Sequence, residues 1–245
     1  ALMADLVGPG IHALPFYGLM EATVNGRDCL VSQSGFSGEK GYEIYLREAT
    51  LYAEDVWNAV LDAGTAHNLQ VIAPGHQRRI QAGILSWGQD MDNETVPFQC
   101  NLGYQVPRKK TADYVGRQRL EAMRAEIDAG RYPFRSILVG MILGGLPITD
   151  YAPDFWLISD EAGGDPVGYV TSPWYSPELE TNIALGYVPV ALKDTGTKLK
   201  VWLPDEYAEV PGTPVDGEVV DVPFRPSVNP NAREIAKQQG RDHAH

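Results

Sequence analysis

The run Ser136-Ile137-Leu138-Val139-Gly140-Met141-Ile142-Leu143, closed by Gly144-Gly145, decides how the chain is read. Eight apolar-rich residues stopped by two glycines have the length and punctuation of a strand. Five more strand-like runs follow at 155–159, 167–171, 183–188, 198–203 and 215–222. Gly163-Gly164-Asp165-Pro166 and Pro211-Gly212 separate some of them. Several short strands at this spacing predict a small antiparallel barrel or sandwich.

Upstream of Pro133 the periodicity changes to helical. A helix is expected over 51–69, with Leu51, Val56, Trp57, Val60 and Leu61 on one face and Thr50 as its cap. A second is expected over 76–87, between Pro74 and Gly88. A third is expected over 115–128, with Leu120, Met123 and Ile127 at helical spacing and Gly130 as its stop. The chain is therefore read as α+β. A mixed region over 1–131 precedes an all-β region over 132–228, and the polar residues 229–245 form a mobile tail.

With 245 residues and a 44% apolar fraction, the chain can bury one large core or two smaller ones. The formal net charge of −12 argues against nucleic acid or an anionic membrane as partner, because phosphate binding needs clustered Lys and Arg. Arg108-Lys109-Lys110 is the one local basic cluster in the sequence, read as a solvated loop. Cys29 and Cys100 stand far apart and form no CxxC, which suits reduced thiols in a cytoplasmic protein. The first residue is Ala1, not Met, and no signal-peptide pattern follows; the expectation is a part of a longer polypeptide.

Ser34-Gly35-Phe36-Ser37-Gly38-Glu39-Lys40-Gly41-Tyr42-Glu43-Ile44-Tyr45 carries three glycines at spacing three around one carboxylate. It reads as two strands joined by a tight glycine turn, with Glu39 near the tip. Two carboxylate oxygens side by side can accept two parallel N–H bonds from a flat amidine-like edge, such as that of a pterin. The alternative is a plain hairpin whose turn residue faces water.

A second block runs from Arg78-Arg79 to Trp87-Gly88-Gln89-Asp90-Met91-Asp92. Adjacent arginines near a helix start oppose the helix dipole, so an acidic neighbour or an anionic ligand must offset them. The simpler arrangement pairs one arginine with a carboxylate and leaves the other in solvent. Trp87 suits stacking on a flat ring or a place in the core. His76 is a conceivable acid or base, or a surface or capping residue. Asp90 and Asp92 lack a third ligand at a sensible spacing, so no metal is assigned, and His243 and His245 in the tail are given no metal role. There is no Walker motif, no GxSxG and no GxGxxG after a strand.

Taken in order, these segments resemble the glycine-cleavage T-protein family of aminomethyltransferases and its tetrahydrofolate-dependent demethylase branch. The family's T-G-E-x-G-Y/F-E turn resembles Ser37-Gly38-Glu39-Lys40-Gly41-Tyr42-Glu43. Its R-L-E-A-G stretch leading to Y-G-x-D resembles Arg79-Ile80-Gln81-Ala82-Gly83 leading to Trp87-Gly88-Gln89-Asp90. P-x-x-x-x-L-G matches Pro97 through Leu102-Gly103, and F-I-G-R-x-x-L is similar to Tyr114-Val115-Gly116-Arg117-Gln118-Arg119-Leu120. V-G-x-V-T-S, continued by S-P-x-L and I-A-x-G-Y-V, matches Val167 through Val188. The likeness covers most of residues 25–225.

The resemblance implies folate-binding domains around a central channel, capped by a C-terminal barrel, with this chain holding an incomplete folate-binding domain and the barrel. It implies tetrahydrofolate as cofactor, Glu39 on the pterin edge, and Arg79 and Trp87 at or near the folate site. The catalytic aspartate of aminomethyltransferases lies upstream of anything matched here, so a missing N-terminal segment or another chain is expected to complete the site. Trp87 stands where the aminomethyltransferases have tyrosine, and Pro173 where they have glycine. Ile84-Leu85-Ser86 is more similar to the demethylase branch, which implies methyl transfer from a small methylated donor. Aminomethyl transfer is the alternative, and a non-catalytic folate-binding module is another.

Overall fold

In the computed structural model, residues 1–73 and 75–225 are described. The expected tail over 229–245 lies outside them. Contacts divide the chain into two compact units, Ala1–Gly75 and His76–His245.

In the first unit, helix α1 (Leu2–Val7) precedes strands β1 (Leu19–Val24), β2 (Arg27–Ser32) and β3 (Glu43–Leu46). The strands form an antiparallel sheet in the order β1-β2-β3. Asn25 and Gly26, both at positive φ, join β1 to β2 in a two-residue hairpin whose twist suits the strands. Ser32 pairs with Glu43 at the end of the β2–β3 ladder. The connection between them is therefore the ten residues 33–42, not a tight turn.

Helix α2 (Ala49–Gly64) lies against the small core of Val24, Cys29 and Val56, joined by Ile44 and Leu46. Its N-cap is Glu48 in the left-handed conformation, so Thr50 sits inside the helix rather than capping it. Of the expected apolar stripe, Val56 is buried, while Leu51 and Trp57 are exposed. A sheet of three short strands offers too little surface to cover a full helical face.

In the second unit, helix α3 is His76–Gln81, half the expected length. It stops in a Schellman turn: Gly83 takes φ +69°, Ile84 N–H donates to Arg79 O at 2.8 Å, and Gly83 N–H donates to Ile80 O at 2.9 Å. Helix α4 (Arg117–Asp128) ends the same way at Gly130, φ +77°. Among the described residues, strands β4 (Ser136–Leu143), β5 (Trp156–Asp160), β6 (Gly168–Ser176), β7 (Thr181–Pro189), β8 (Lys198–Val201) and β9 (Val215–Val220) close into an antiparallel barrel. The order is β4-β7-β6-β5-β8-β9, and β9 pairs back with β4. Closure leaves no free edge and decides between barrel and sandwich.

β4 reads as a continuous apolar run because both of its faces are covered as far as Met141. Ile137, Val139, Met141 and Leu143 point into the barrel core with Ala184 and Val188 of β7. Leu138, Ile183, Leu185 and Tyr187 point outward, under Ile80, Leu85 and Cys100. That outer layer joins residues from 76 onward to the barrel, so the contact division falls after Gly75. The composition shift near Gly130 marks where the strands begin.

β6 and β7 approach closely at Gly168, where an added Cβ would lie 2.1 Å from Tyr187 O. Backbone cannot yield as a side-chain tip does. Gly168→Ala is expected to cost about 2–3 kcal/mol, seen as a lower urea midpoint at constant slope.

Candidate functional site

The second unit holds a buried polar cluster under an aromatic cavity. At its centre is Asp90, 1% exposed. Its Oδ2 accepts from Arg79 Nη1 at 2.6 Å and from Ser86 N–H at 2.8 Å. Its Oδ1 accepts from the hydroxyls of Thr171 at 2.5 Å and Ser172 at 2.6 Å. Tyr187 Oη donates to Asp90 O at 2.7 Å. A carboxylate buried this deeply needs its lone pairs filled, and here four donors fill them.

Two consecutive hydroxyls reach one oxygen because β6 is bulged. Val170 pairs with Gly186 and Ser172 with Leu185, so Thr171 is the extra residue. In a regular strand Thr171 and Ser172 would point to opposite faces. The bulge also leaves Thr171 O to accept from Gln89 Nε2 at 2.8 Å.

Arg79 is 1% exposed and all its N–H groups find partners in the protein. Beyond Asp90 it donates to Ile84 O (3.2 Å), Gln89 Oε1 (3.2 Å), Ser172 Oγ (2.7 Å) and, from Nε and Nη2, to His76 Nδ1 (3.3 Å each). Arg78 is exposed. The offset that adjacent arginines demand is thus an acidic neighbour for one and solvent for the other. Arg79 ties α3, the 84–91 loop and β6 together from below.

Trp87 projects from that loop and is 63% exposed. Gly88 at φ +80° and a bridge between Trp87 and Met91 fold the loop back on itself. Trp87 lines a cavity of about 450 Å³ with His76, Ser86, Gln89, Tyr151 and Phe155. The His76 ring stacks on Trp174 (centroids 5.7 Å apart, 25° between planes) and lies 5.0 Å from the Tyr151 ring. Burial, then the Arg79 charge, holds the His76 imidazole below its ordinary pKa, with Asp90 acting weakly the other way.

Glu39 belongs to the first unit, in the 33–42 connection. It is half-buried, next to Gly38 at φ +72°, and its N–H donates to Ser37 Oγ at 3.2 Å. The connection is closed by Ser34 Oγ, which donates to Glu43 Oε2, and by Tyr45 Oη, which donates to the same oxygen at 3.1 Å. Of the three sequence-nominated residues, Arg79 and Trp87 share one unit, where Arg79 holds the loop that carries Trp87; Glu39 stands in the other.

Cys100 is buried and its thiol is pushed up to about 11, chiefly by burial. Thiolate is then scarce at pH 8, and a thiol reagent is expected to modify Cys100 only as fast as the protein opens. Rapid labelling of the native protein at Cys100, read by peptide mass, would contradict this.

Residues 1–110 match the GCVT N-terminal domain, and residues 145–224 match the glycine cleavage T-protein C-terminal barrel domain. An aminomethyltransferase from Symbiobacterium thermophilum is 34% identical over 217 residues, covering 86% of this chain and 52% of that protein. Dimethylsulfoniopropionate demethylase DmdA from Ruegeria pomeroyi is 32% identical over 205 residues, covering 83% and 52%. The crystal structure of glycine cleavage system aminomethyltransferase T from Bartonella henselae shares the fold at TM-score 0.68 and 24% identity, over 92% of this chain and 56% of that one. The chain spans about half the length of the curated relatives it matches. Among the described residues no helix is long and apolar enough to cross a membrane. The two matched domains in sequence order, with a closed barrel in the second, place this chain in the glycine-cleavage T-protein family.

Proposed function

We propose that the chain serves a tetrahydrofolate-dependent transferase that moves a methyl group from a small methylated donor to the folate. The observation that carries the reading is Glu39 in its glycine-bracketed segment, within the part that matches the family's N-terminal domain. Glu39 would accept two N–H bonds from the pterin edge and so fix the ring in the plane where N5 meets the donor carbon, which is catalysis by positioning. Trp87 would offer a flat face to an unsaturated ring. Arg79, with no N–H to spare, would serve the site by holding the loop that carries Trp87. The proton is assigned to a carboxylate outside this chain, supplied by a further segment or a partner chain.

Methyl transfer is favoured over aminomethyl transfer by Ile84-Leu85-Ser86-Trp87, which resembles the demethylase branch. The DmdA likeness supports that choice, and the likeness to several aminomethyltransferases keeps the second reading in view. A cytoplasmic protein whose partners are small molecules suits both. The test is calorimetric titration with tetrahydrofolate, followed by product analysis with candidate methylated donors. Saturable binding is expected; no binding overturns the reading.

A further inference from the structure

We infer that His76 is a tautomer-locked hydrogen-bond donor whose Nε2–H reads an acceptor oxygen on a flat aromatic amide or carboxylate held in the cavity lined by Trp87 and Tyr151. The lock follows from valence. A guanidinium only donates, and Arg79 directs both Nε and Nη2 at His76 Nδ1. Nδ1 must then be the acceptor, so the ring proton of the neutral imidazole sits on Nε2. The Nδ1 edge is turned to buried Arg79, which leaves the Nε2 edge for the cavity that His76 lines. Protonation would set an Nδ1–H against two guanidinium N–H groups.

The cavity lining selects the ligand. Trp87, Tyr151 and Phe155 offer flat apolar faces, and all three are more than half exposed. Among the described residues, no carboxylate and no formally charged side chain lines it. Gln89 is committed to Arg79 and Thr171 O. What remains is rich in donors: the His76 imidazole, the Trp87 indole, and the Ser86 and Tyr151 hydroxyls. A ligand with oxygen acceptors on an unsaturated frame fits that set; a cation would find no counter-charge. Only the ligand's identity as the aromatic amide of a folate rests on the proposed function; the tautomer does not.

The pH sense also follows. Among the described residues, the charged groups acting on the ring are Arg79 on α3 and Asp90 on the loop, and the Tyr151 ring lies 5.0 Å from it. Because the folded imidazole resists protonation, the unfolded chain binds the extra proton first. His76 therefore withdraws stability as pH falls below the ordinary histidine value of roughly 6.5 and adds none above it.

Long-range ¹⁵N–¹H NMR of ¹⁵N-histidine-labelled protein reads the lock directly in the wild type. A single Nε2–H tautomer with a midpoint below the ordinary histidine value is expected; an Nδ1–H tautomer, or a midpoint at the ordinary value, overturns it. N-methylbenzamide is expected to shift the His76 and Trp87 side-chain signals, and tetramethylammonium to leave them. The reverse, or silence from both probes, overturns the ligand class without reference to folate. For tetrahydrofolate, His76→Phe is expected to weaken binding roughly five- to tenfold, and His76→Gln, which keeps an N–H donor, about twofold or less. Equal affinity of His76→Phe and wild type removes His76 from the ligand. No binding by the wild type instead sinks the folate reading and leaves the benzamide result to stand.

Discussion

Asp90→Asn is expected to lower stability by about 3–5 kcal/mol although it scarcely changes the side chain's outline. Every group that meets the Asp90 carboxylate is a donor: Arg79, Ser86 N–H, Thr171 and Ser172. An amide NH₂ in that place would face donors instead of accepting from them. Arg79, 1% exposed, would keep its charge and lose its counter-ion. The melting temperature is expected to fall by on the order of 10 °C for a protein of this size. Asp92→Asn is the control. That residue is exposed and holds an Asx turn through one oxygen that asparagine retains, so about 0.5 kcal/mol or less is expected. If both variants melt with the wild type, the cluster is not what holds the loop to the barrel.

Glu39→Ala is expected to weaken tetrahydrofolate binding by about 100-fold or more while leaving the urea midpoint nearly unchanged. Each hydrogen bond to a charged group contributes about 1.5–3 kcal/mol, and the carboxylate would supply two. Glu39→Gln should fall between, because one oxygen still accepts while the new NH₂ opposes the pterin's second N–H. Half-buried Glu39 lies in a connection rather than in a core, so folding should tolerate its loss. Undiminished affinity in Glu39→Ala, by calorimetry, would take the carboxylate out of the site.

The barrel was legible because its strands obey local rules. Apolar runs bounded by Gly and Pro placed β4 at 136–143, where it is found, and the other strands within a few residues. β6 runs on to Ser176, past the expected end at 171, because Pro173, which looks like a stop, is accommodated in the strand beyond a bulge. α3 ends early because Gly83 leaves the right-handed helix for a Schellman turn rather than being carried within it. The connection holding Glu39 is longer than a tight turn because pairing ends at Ser32 and Glu43.

The site was only half legible. Adjacent Arg78 and Arg79 signalled that one needed a partner, but no periodicity tells that Asp90 supplies it from eleven residues away. Two hydroxyls at Thr171 and Ser172 between apolar strand residues were the one local trace of the cluster. The His76 tautomer lies wholly outside sequence reasoning, because Arg79 imposes it through geometry.

The extra residue in β6 fixes a length as well as an identity. Deleting Thr171 would restore regular pairing: Val170 would still meet Gly186 and Ser172 would still meet Leu185, so residues 172–176 would keep their faces. What would go is the second hydroxyl on Asp90 Oδ1 and the carbonyl that receives Gln89, because a regular strand turns only one of two consecutive side chains toward the carboxylate. Relatives that keep the buried carboxylate with both hydroxyls on it should therefore keep the extra residue as well.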